Sequence, residues 1–189
     1  MARVKIHYNA PVILSFAFLS LLILALGLIA PNLIPHLFAL GPNFTFSNPL
    51  DYIRVFSYTL AHANGSHFMG NMIFILLLGP ILEEKYGSKN ILKMILITAL
   101  VTGVLHVLIS SSSGLIGASG IVFMLIVLVS VVNTKSGHIP LSFILVTFLF
   151  IGKECVEIFQ KDNISQLAHI CGGAAGALFA FSFFKTKRS

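Results

Sequence analysis

Uncharged apolar segments of membrane-spanning length recur along this chain and limit what it can fold into. The first, residues 12–30, holds no charged residue and is bracketed by Pro11 and Pro31. About 20 apolar residues in a helix cross the roughly 30 Å hydrocarbon core of a bilayer. Only 10% of all residues are charged, whereas a soluble domain carries about 25%. The chain is therefore predicted to be an all-α, polytopic membrane protein.

The length of 189 residues predicts one membrane domain, 1–189, with roughly six spanning helices and short connections. The helices are expected at about 12–30, 67–86, 89–109, 119–132, 139–152 and 165–184, with a polar loop before the last. The longest connection, 31–66, contains four prolines and many aromatic residues but few charges. Such a composition favours the bilayer interface over water.

The positions of lysine and arginine predict the orientation. The formal net charge of +6 arises from small clusters at segment ends, which fits positive-inside topology better than nucleic-acid binding. Nine of the 12 basic residues lie on the side of the two termini, and only Arg54, Lys153 and Lys161 lie on the other. We therefore expect a multi-pass plasma-membrane protein with both termini in the cytoplasm.

A serine at the start of the fourth apolar segment is the first candidate functional residue. Ser119 stands in the motif Gly117-Ala118-Ser119-Gly120. A lone serine in an apolar helix usually bonds back to its own turn. The segment 119–132, however, is only about 21 Å long as a helix, which places Ser119 below the outer membrane surface. Irregular backbone at that depth is tolerated only inside protein or beside a water-filled cavity.

Two other segments carry polar residues expected at a similar depth. His67 and Asn71 are four residues apart and therefore share one helical face. His169 shares a face with Gly172 and Gly176, whose spacing forms a ridge that another helix backbone can approach closely. Taken singly, each feature is commonly a packing motif or an interhelical hydrogen bond. Together they predict a polar site shared by three helices.

Serine, histidine and amide side chains at one depth suggest nucleophilic catalysis. His169 as general base would take the proton of Ser119, which would attack a peptide carbonyl and form an acyl-enzyme. Asn71, His67 and the backbone N–H of Ser119 are candidate donors to the oxyanion. No acidic residue lies near this level in the fourth or sixth helix, so we expect a dyad. Phe123, one turn beyond the serine, is expected to pack against the imidazole.

With these residues identified, the chain resembles the rhomboid family of intramembrane serine proteases. The residues that carry the resemblance are Arg54, His62, His67, Asn71, Glu83, Gly87, Gly117, Ser119, Gly120, Ala168, His169, Gly172 and Gly176. The resemblance implies a six-helix core, a Ser119–His169 dyad and an oxyanion site at His67 and Asn71. It also implies cleavage of transmembrane or membrane-anchored substrates near the outer face, without a cofactor.

Two positions depart from the family pattern. Phe123 stands where the family often has tyrosine, which removes a hydroxyl but keeps the ring. Ile53 stands where an aromatic residue often precedes the loop arginine.

His62 lies five residues before His67, so the two would not share a helical face, and a loop-bracing hydrogen bond is expected for His62.

Three other functions compete with proteolysis by serine. A zinc protease would need a motif such as His-Glu-x-x-His, but no glutamate neighbours a histidine. Cys155 and Cys171 lack metal-ligand spacing, so we expect no metal. A transporter or channel is disfavoured because membrane-embedded charges and an inverted repeat are missing. A catalytically inactive rhomboid-like protein that binds transmembrane helices would share the fold, but the presence of Ser119 and His169 argues against it.

Overall fold

The computed structural model of the protein describes residues 7–41, 44–109, 114–131, 138–158, 170–179 and 182. Apart from one isolated β-bridge, helices are the regular structure of these ranges. The described helices are α1 Pro11–Ile29, α2 Leu33–Phe38, α3 Pro49–Ser57, α4 Gly65–Tyr86, α5 Ser88–Ile109, α6 Ser119–Val131, α7 Leu141–Ile158 and α8 Ile170–Phe179. Of these, α1, α4 and α5 are long and apolar enough to cross a membrane. The predicted all-α class is confirmed.

Two regions differ from the sequence-based expectation. The connection 31–66 contains two short helices, α2 and α3. Pro49 begins α3 with a fixed φ that suits a first helical turn, and the Asn48 side chain caps it by accepting the Leu50 N–H at 3.1 Å. Farther along, α7 continues to Ile158 rather than ending near 152. No proline or further glycine follows directly to stop that helix.

Helix α6 lies at the centre of the bundle. It packs against α4, α5 and α7, and eight of its 13 residues are buried. Met124, Leu125 and Leu128 are fully enclosed, as expected for a helix that is apolar on all sides. At 13 residues it is about 20 Å long. Its first residue, Ser119, is therefore held by the most enclosed helix of the described chain.

A buried carboxylate joins the end of α4 to the start of α1. Glu83, 3% exposed, accepts hydrogen bonds from the backbone N–H groups of Val12 and Ile13, each at 3.0 Å. N–H groups in the first helical turn have no intrahelical acceptor, and negative charge is favoured at a helix N-terminus. The predicted C-cap of α4 is confirmed: Gly87 has a φ of +80° and donates to the Glu83 carbonyl at 2.8 Å.

A polar network around Arg54 organises segment 31–66. The Arg54 guanidinium donates to Asp51 Oδ1 at 2.5 Å and to the backbone carbonyl of His36. Asp51 Oδ2 accepts the N–H and the hydroxyl of Thr45 at 3.0 and 3.1 Å. Burial raises the pKa of Asp51, but the hydrogen bonds from Thr45 and Arg54 outweigh it and hold that pKa below its ordinary value. The network thus ties α2 to α3.

Candidate active site

The turn before α6 has a backbone conformation that favours glycine. Gly117 has a φ of +118°, which L side chains rarely adopt. Its N–H donates to the Tyr58 carbonyl at 2.9 Å. Immediately before it, Leu115 and Leu40 exchange two backbone hydrogen bonds of 2.8 and 3.0 Å. Segment 31–66 therefore holds this turn through backbone contacts.

Ser119 is half-buried and is the first residue of α6. A backbone hydrogen bond from the Val122 N–H to the Ala118 carbonyl, 3.0 Å long, closes the first turn of the helix. The N–H groups between these two residues have no intrahelical acceptor. They also carry the partial positive charge of a helix N-terminus. This end of α6 can stabilise a negative charge that develops beside Ser119.

Helix α4 places His67 and Asn71 against the same turn. A Cβ atom at Gly117 would lie 2.6 Å from His67 Cε1, 2.7 Å from His67 Nε2 and 3.7 Å from Asn71 Nδ2. Both side chains therefore lie beside the backbone two residues before Ser119, as their four-residue spacing allows. A glycine is needed here because a side chain would overlap the imidazole.

The amide of Asn71 is a buried donor. The residue is 6% exposed, and its Nδ2 has no hydrogen-bond partner within the described ranges. A buried donor without an acceptor costs about 1–3 kcal/mol. Such a donor is chemically useful where an acceptor arrives with a ligand. The location beside Gly117 fits an acceptor bound near the start of α6.

Two neighbours position His67. Asn64 caps α4, and its Oδ1 accepts the His67 backbone N–H at 2.8 Å. The His62 ring meets the His67 ring edge-on, with centroids 5.2 Å apart, and meets the Phe68 ring in the same way at 5.4 Å. In place of the expected loop-bracing hydrogen bond, His62 makes these ring contacts. Neither of its ring nitrogens forms a hydrogen bond of ordinary geometry in the part of the chain described.

The environment of His62 keeps its imidazole neutral. Burial is the main cause, and the adjacent His67 acts in the same direction, while the Leu60 carbonyl opposes them. The net effect lowers the pKa of His62 to about 4. At neutral pH the ring is therefore an uncharged packing partner for His67.

Helix α8 lies against α6 through two glycines. A Cβ atom at Gly172 would lie 2.0 Å from the Gly120 carbonyl oxygen, and one at Gly176 would lie 2.6 Å from the Met124 carbonyl oxygen. Both pairs advance by four residues, so the two helices run in the same direction in one register. The ridge predicted from the sequence therefore brings the backbones of α6 and α8 into contact.

Several other predicted residues lie elsewhere or outside the described chain. His169 is not among the described residues, so its relation to Ser119 stays a prediction. Phe123 is half-buried on α6, one turn beyond Ser119, and its predicted contact with His169 is likewise untested. Arg54 contributes to the network of segment 31–66. Among the described residues, no group of three or more histidine, cysteine, aspartate or glutamate side chains is arranged to hold a metal ion.

Sequence reasoning missed the contacts that hold the Gly117 turn from segment 31–66. Tyr58 and Leu40 act there through backbone groups, which every residue type other than proline carries in full. The burial of Tyr58 is visible only in the structure, where the residue is 2% exposed and needs a partner for its hydroxyl. That hydroxyl donates to the Ala99 carbonyl at 3.3 Å and so fastens the residue to α5.

Comparison with known proteins agrees with this architecture. Residues 49–186 match the Rhomboid domain. Rhomboid-related protein 1 of Caenorhabditis elegans is 33% identical over 138 residues, which cover 68% of this chain and 39% of that protein. The Rhomboid protease GlpG of Haemophilus influenzae is 22% identical over 139 residues, covering 72% of each chain. The chain thus spans about two fifths of the first relative. Because the domain match covers more than half of its length, the chain belongs to the rhomboid family.

Proposed function

We propose that the protein is an intramembrane serine endopeptidase that cleaves transmembrane or membrane-anchored proteins. The observation that carries the proposal is the contact of His67 and Asn71 with Gly117, two residues before Ser119. Polar donors on one side of a serine at a helix N-terminus suit the tetrahedral intermediate of acyl transfer. That one relative is named a rhomboid protease supports the reaction class.

Ser119 is the proposed nucleophile and His169 the proposed general base. His169 takes the hydroxyl proton as Ser119 Oγ attacks the peptide carbonyl, and the imidazolium then protonates the departing amine as the C–N bond breaks. Water, deprotonated by His169, resolves the acyl-enzyme and restores the serine hydroxyl. The packing of α8 supports this pairing, because Gly172, three residues after His169, lies against Gly120, next to Ser119.

The oxyanion of the intermediate is proposed to bind between α4 and the start of α6. Asn71 Nδ2, a ring N–H of His67 and the backbone N–H of Ser119 are the donors. Asn71 Nδ2 makes no hydrogen bond to the described residues, so it can donate without breaking an existing contact. One such donor typically contributes about 10²–10³ to kcat.

The proposed setting is a six-helix core in the plasma membrane, with cytoplasmic termini and the site toward the outer face. The distribution of lysine and arginine supports this orientation. A peptide bond inside a helix is inaccessible to a nucleophile, so we expect substrates to carry helix-destabilising residues near the outer face and a small residue at the cleavage point.

The test is cleavage of a fluorescent transmembrane substrate by the purified protein in liposomes. Ser119→Ala and His169→Ala should abolish turnover, and a fluorophosphonate should label the wild type but not Ser119→Ala. Ser130→Ala is the matched serine control, because the Ser130 hydroxyl bonds back to the Val127 carbonyl on the same helix at 2.6 Å. His138→Ala, at an exposed histidine, is the histidine control.

The results distinguish a protease from an inactive helix-binding protein. Loss of turnover in Ser119→Ala and His169→Ala, but not in the two control variants, supports the dyad. A folded wild-type protein with neither turnover nor labelling would contradict the protease and favour the inactive rhomboid-like protein that binds transmembrane helices. Retained turnover in Ser119→Ala would overturn the assignment of the nucleophile.

A further inference from the structure

Two cavities that share a lining residue lie along segment 31–66, apart from the residues around Ser119. The first has a volume of about 360 Å³, and its lining includes Asp51, Arg54 and His36. The second, about 490 Å³, has a mainly apolar lining that includes Ala30 and Leu33 and also reaches His36. His36 therefore lines both cavities, one of which carries charged residues while the other is mainly apolar.

Both cavities lie where membrane-spanning helices end. The apolar cavity is lined by Ala30 and Leu33, directly after the last residue of α1, Ile29. The polar cavity includes Gly114, which follows the end of α5 at Ile109. Lipid headgroups begin where the hydrocarbon-spanning part of a helix stops. The ends of α1 and α5 therefore predict that the polar cavity lies at headgroup level.

The polar cavity offers hydrogen-bonding capacity of both signs. A guanidinium has five N–H donors, and Arg54 uses its terminal nitrogens toward Asp51 and the His36 carbonyl. Further N–H groups remain on those nitrogens. A carboxylate accepts about four hydrogen bonds, and Asp51 accepts three from Thr45 and Arg54. The pair of side chains has no net charge, so it suits a ligand that is itself a zwitterion.

We propose that the two cavities together bind one phospholipid with a phosphoethanolamine headgroup. The phosphate accepts from Arg54, the ammonium group lies toward Asp51, and an acyl chain occupies the apolar cavity beside Leu33. A choline headgroup has no N–H to donate to the carboxylate. A glycerol headgroup leaves a net negative charge beside a neutral pair of side chains. A free phosphoethanolamine has no chain for the apolar cavity.

The experiment measures binding to the delipidated, detergent-solubilised protein by native mass spectrometry. The probes are dioctanoyl phosphatidylethanolamine, phosphatidylcholine and phosphatidylglycerol, with free phosphoethanolamine as the soluble headgroup. Phosphatidylethanolamine should bind about tenfold more tightly than the other three, the effect of one charge-assisted hydrogen bond or of the buried chain. Equal affinity for the three lipids would overturn the proposal. Equal affinity for free phosphoethanolamine would also overturn it, because the acyl chain would then contribute nothing to binding.

Two variants test the two cavities separately. Leu33→Gln, at a residue 48% exposed in the apolar cavity, should weaken lipid binding but leave free phosphoethanolamine unaffected. Its control is Ile53→Gln, at a residue 59% exposed on α3 that lines neither cavity. Asp51→Asn leaves the charge of Arg54 uncompensated and should shift the preference to phosphatidylglycerol. A general loss of folding does not reverse a headgroup preference, so an unchanged preference in folded Asp51→Asn contradicts the proposal.

Discussion

The two sides of the turn that carries Ser119 are built differently. Toward α8 the contact is backbone against backbone, with Gly172 on Gly120. Toward α4 the contact is side chain against backbone, with His67 and Asn71 beside the turn. The first side depends on the absence of side chains and the second on particular polar groups. Substitutions on the first side should therefore damage the fold, and those on the second should damage chemistry.

The largest effect is expected from Gly172→Ala. The new Cβ would lie 2.0 Å from the Gly120 carbonyl oxygen, so α6 and α8 must separate. We expect a loss of about 3 kcal/mol or more in stability and a parallel loss of activity. Thermal unfolding in detergent measures the first. The control is Gly70→Ala, a position on α4 where the added carbon would meet no other described part of the chain within 4 Å, its own helical turn apart. A wild-type Tm for Gly172→Ala would contradict the backbone contact.

Gly117→Ala should mainly remove activity. Its φ of +118° strains an L residue, and the added carbon would lie 2.6 Å from the His67 ring. We expect a stability loss of about 1–3 kcal/mol and, because His67 is displaced, a fall in kcat of about 100-fold. Fluorophosphonate labelling and substrate cleavage measure the effect. Gly65→Ala, where the added carbon would have no neighbour within 4 Å among the described residues beyond its own helical turn, should behave as wild type. Full activity of Gly117→Ala would show that the turn does not position His67.

Asn71→Leu should lower activity without lowering stability. Loss of one oxyanion donor should lower kcat about 100-fold. The Tm should stay the same or rise, because the substitution removes a buried amide nitrogen that has no partner within the described residues. A fall in Tm that accounts for the lost activity would show that Asn71 is only a packing residue.

The smallest effect is expected from His62, and it depends on pH. Its folded-state pKa of about 4 lies below the ordinary 6.5, so between these values the unfolded chain binds the proton and the folded protein does not. Stability should therefore fall as pH drops from about 6.5 toward about 4. His62→Phe keeps the ring contacts and should flatten this part of the pH profile. An unchanged profile in His62→Phe would mean that other groups cause the slope.

The sequence predicted much of the candidate site because its parts follow helical periodicity. A four-residue spacing puts His67 and Asn71 on one face whatever surrounds them. The same spacing in Gly172 and Gly176 predicts a surface that admits another backbone. These rules need only local sequence, and the described structure has both faces directed at the start of α6.

The contacts that the sequence did not predict join distant parts of the chain without a residue signature. The pairing of Leu40 with Leu115 uses backbone groups alone. Glu83 at the end of an apolar segment indicates a membrane boundary, and nothing nearby shows that its carboxylate binds the N–H groups of Val12 and Ile13. Such pairings depend on how the helices assemble.

The glycine contact between α6 and α8 also bears on biosynthesis. Chains are made from the N-terminus at about 5–20 residues per second, so α6 enters the membrane seconds before α8 is complete. During that interval the backbone at Gly120 is an open groove that fits any helix with a stripe of small residues. The nascent protein therefore passes through a stage in which its central helix still lacks the packing partner that Gly172 and Gly176 supply.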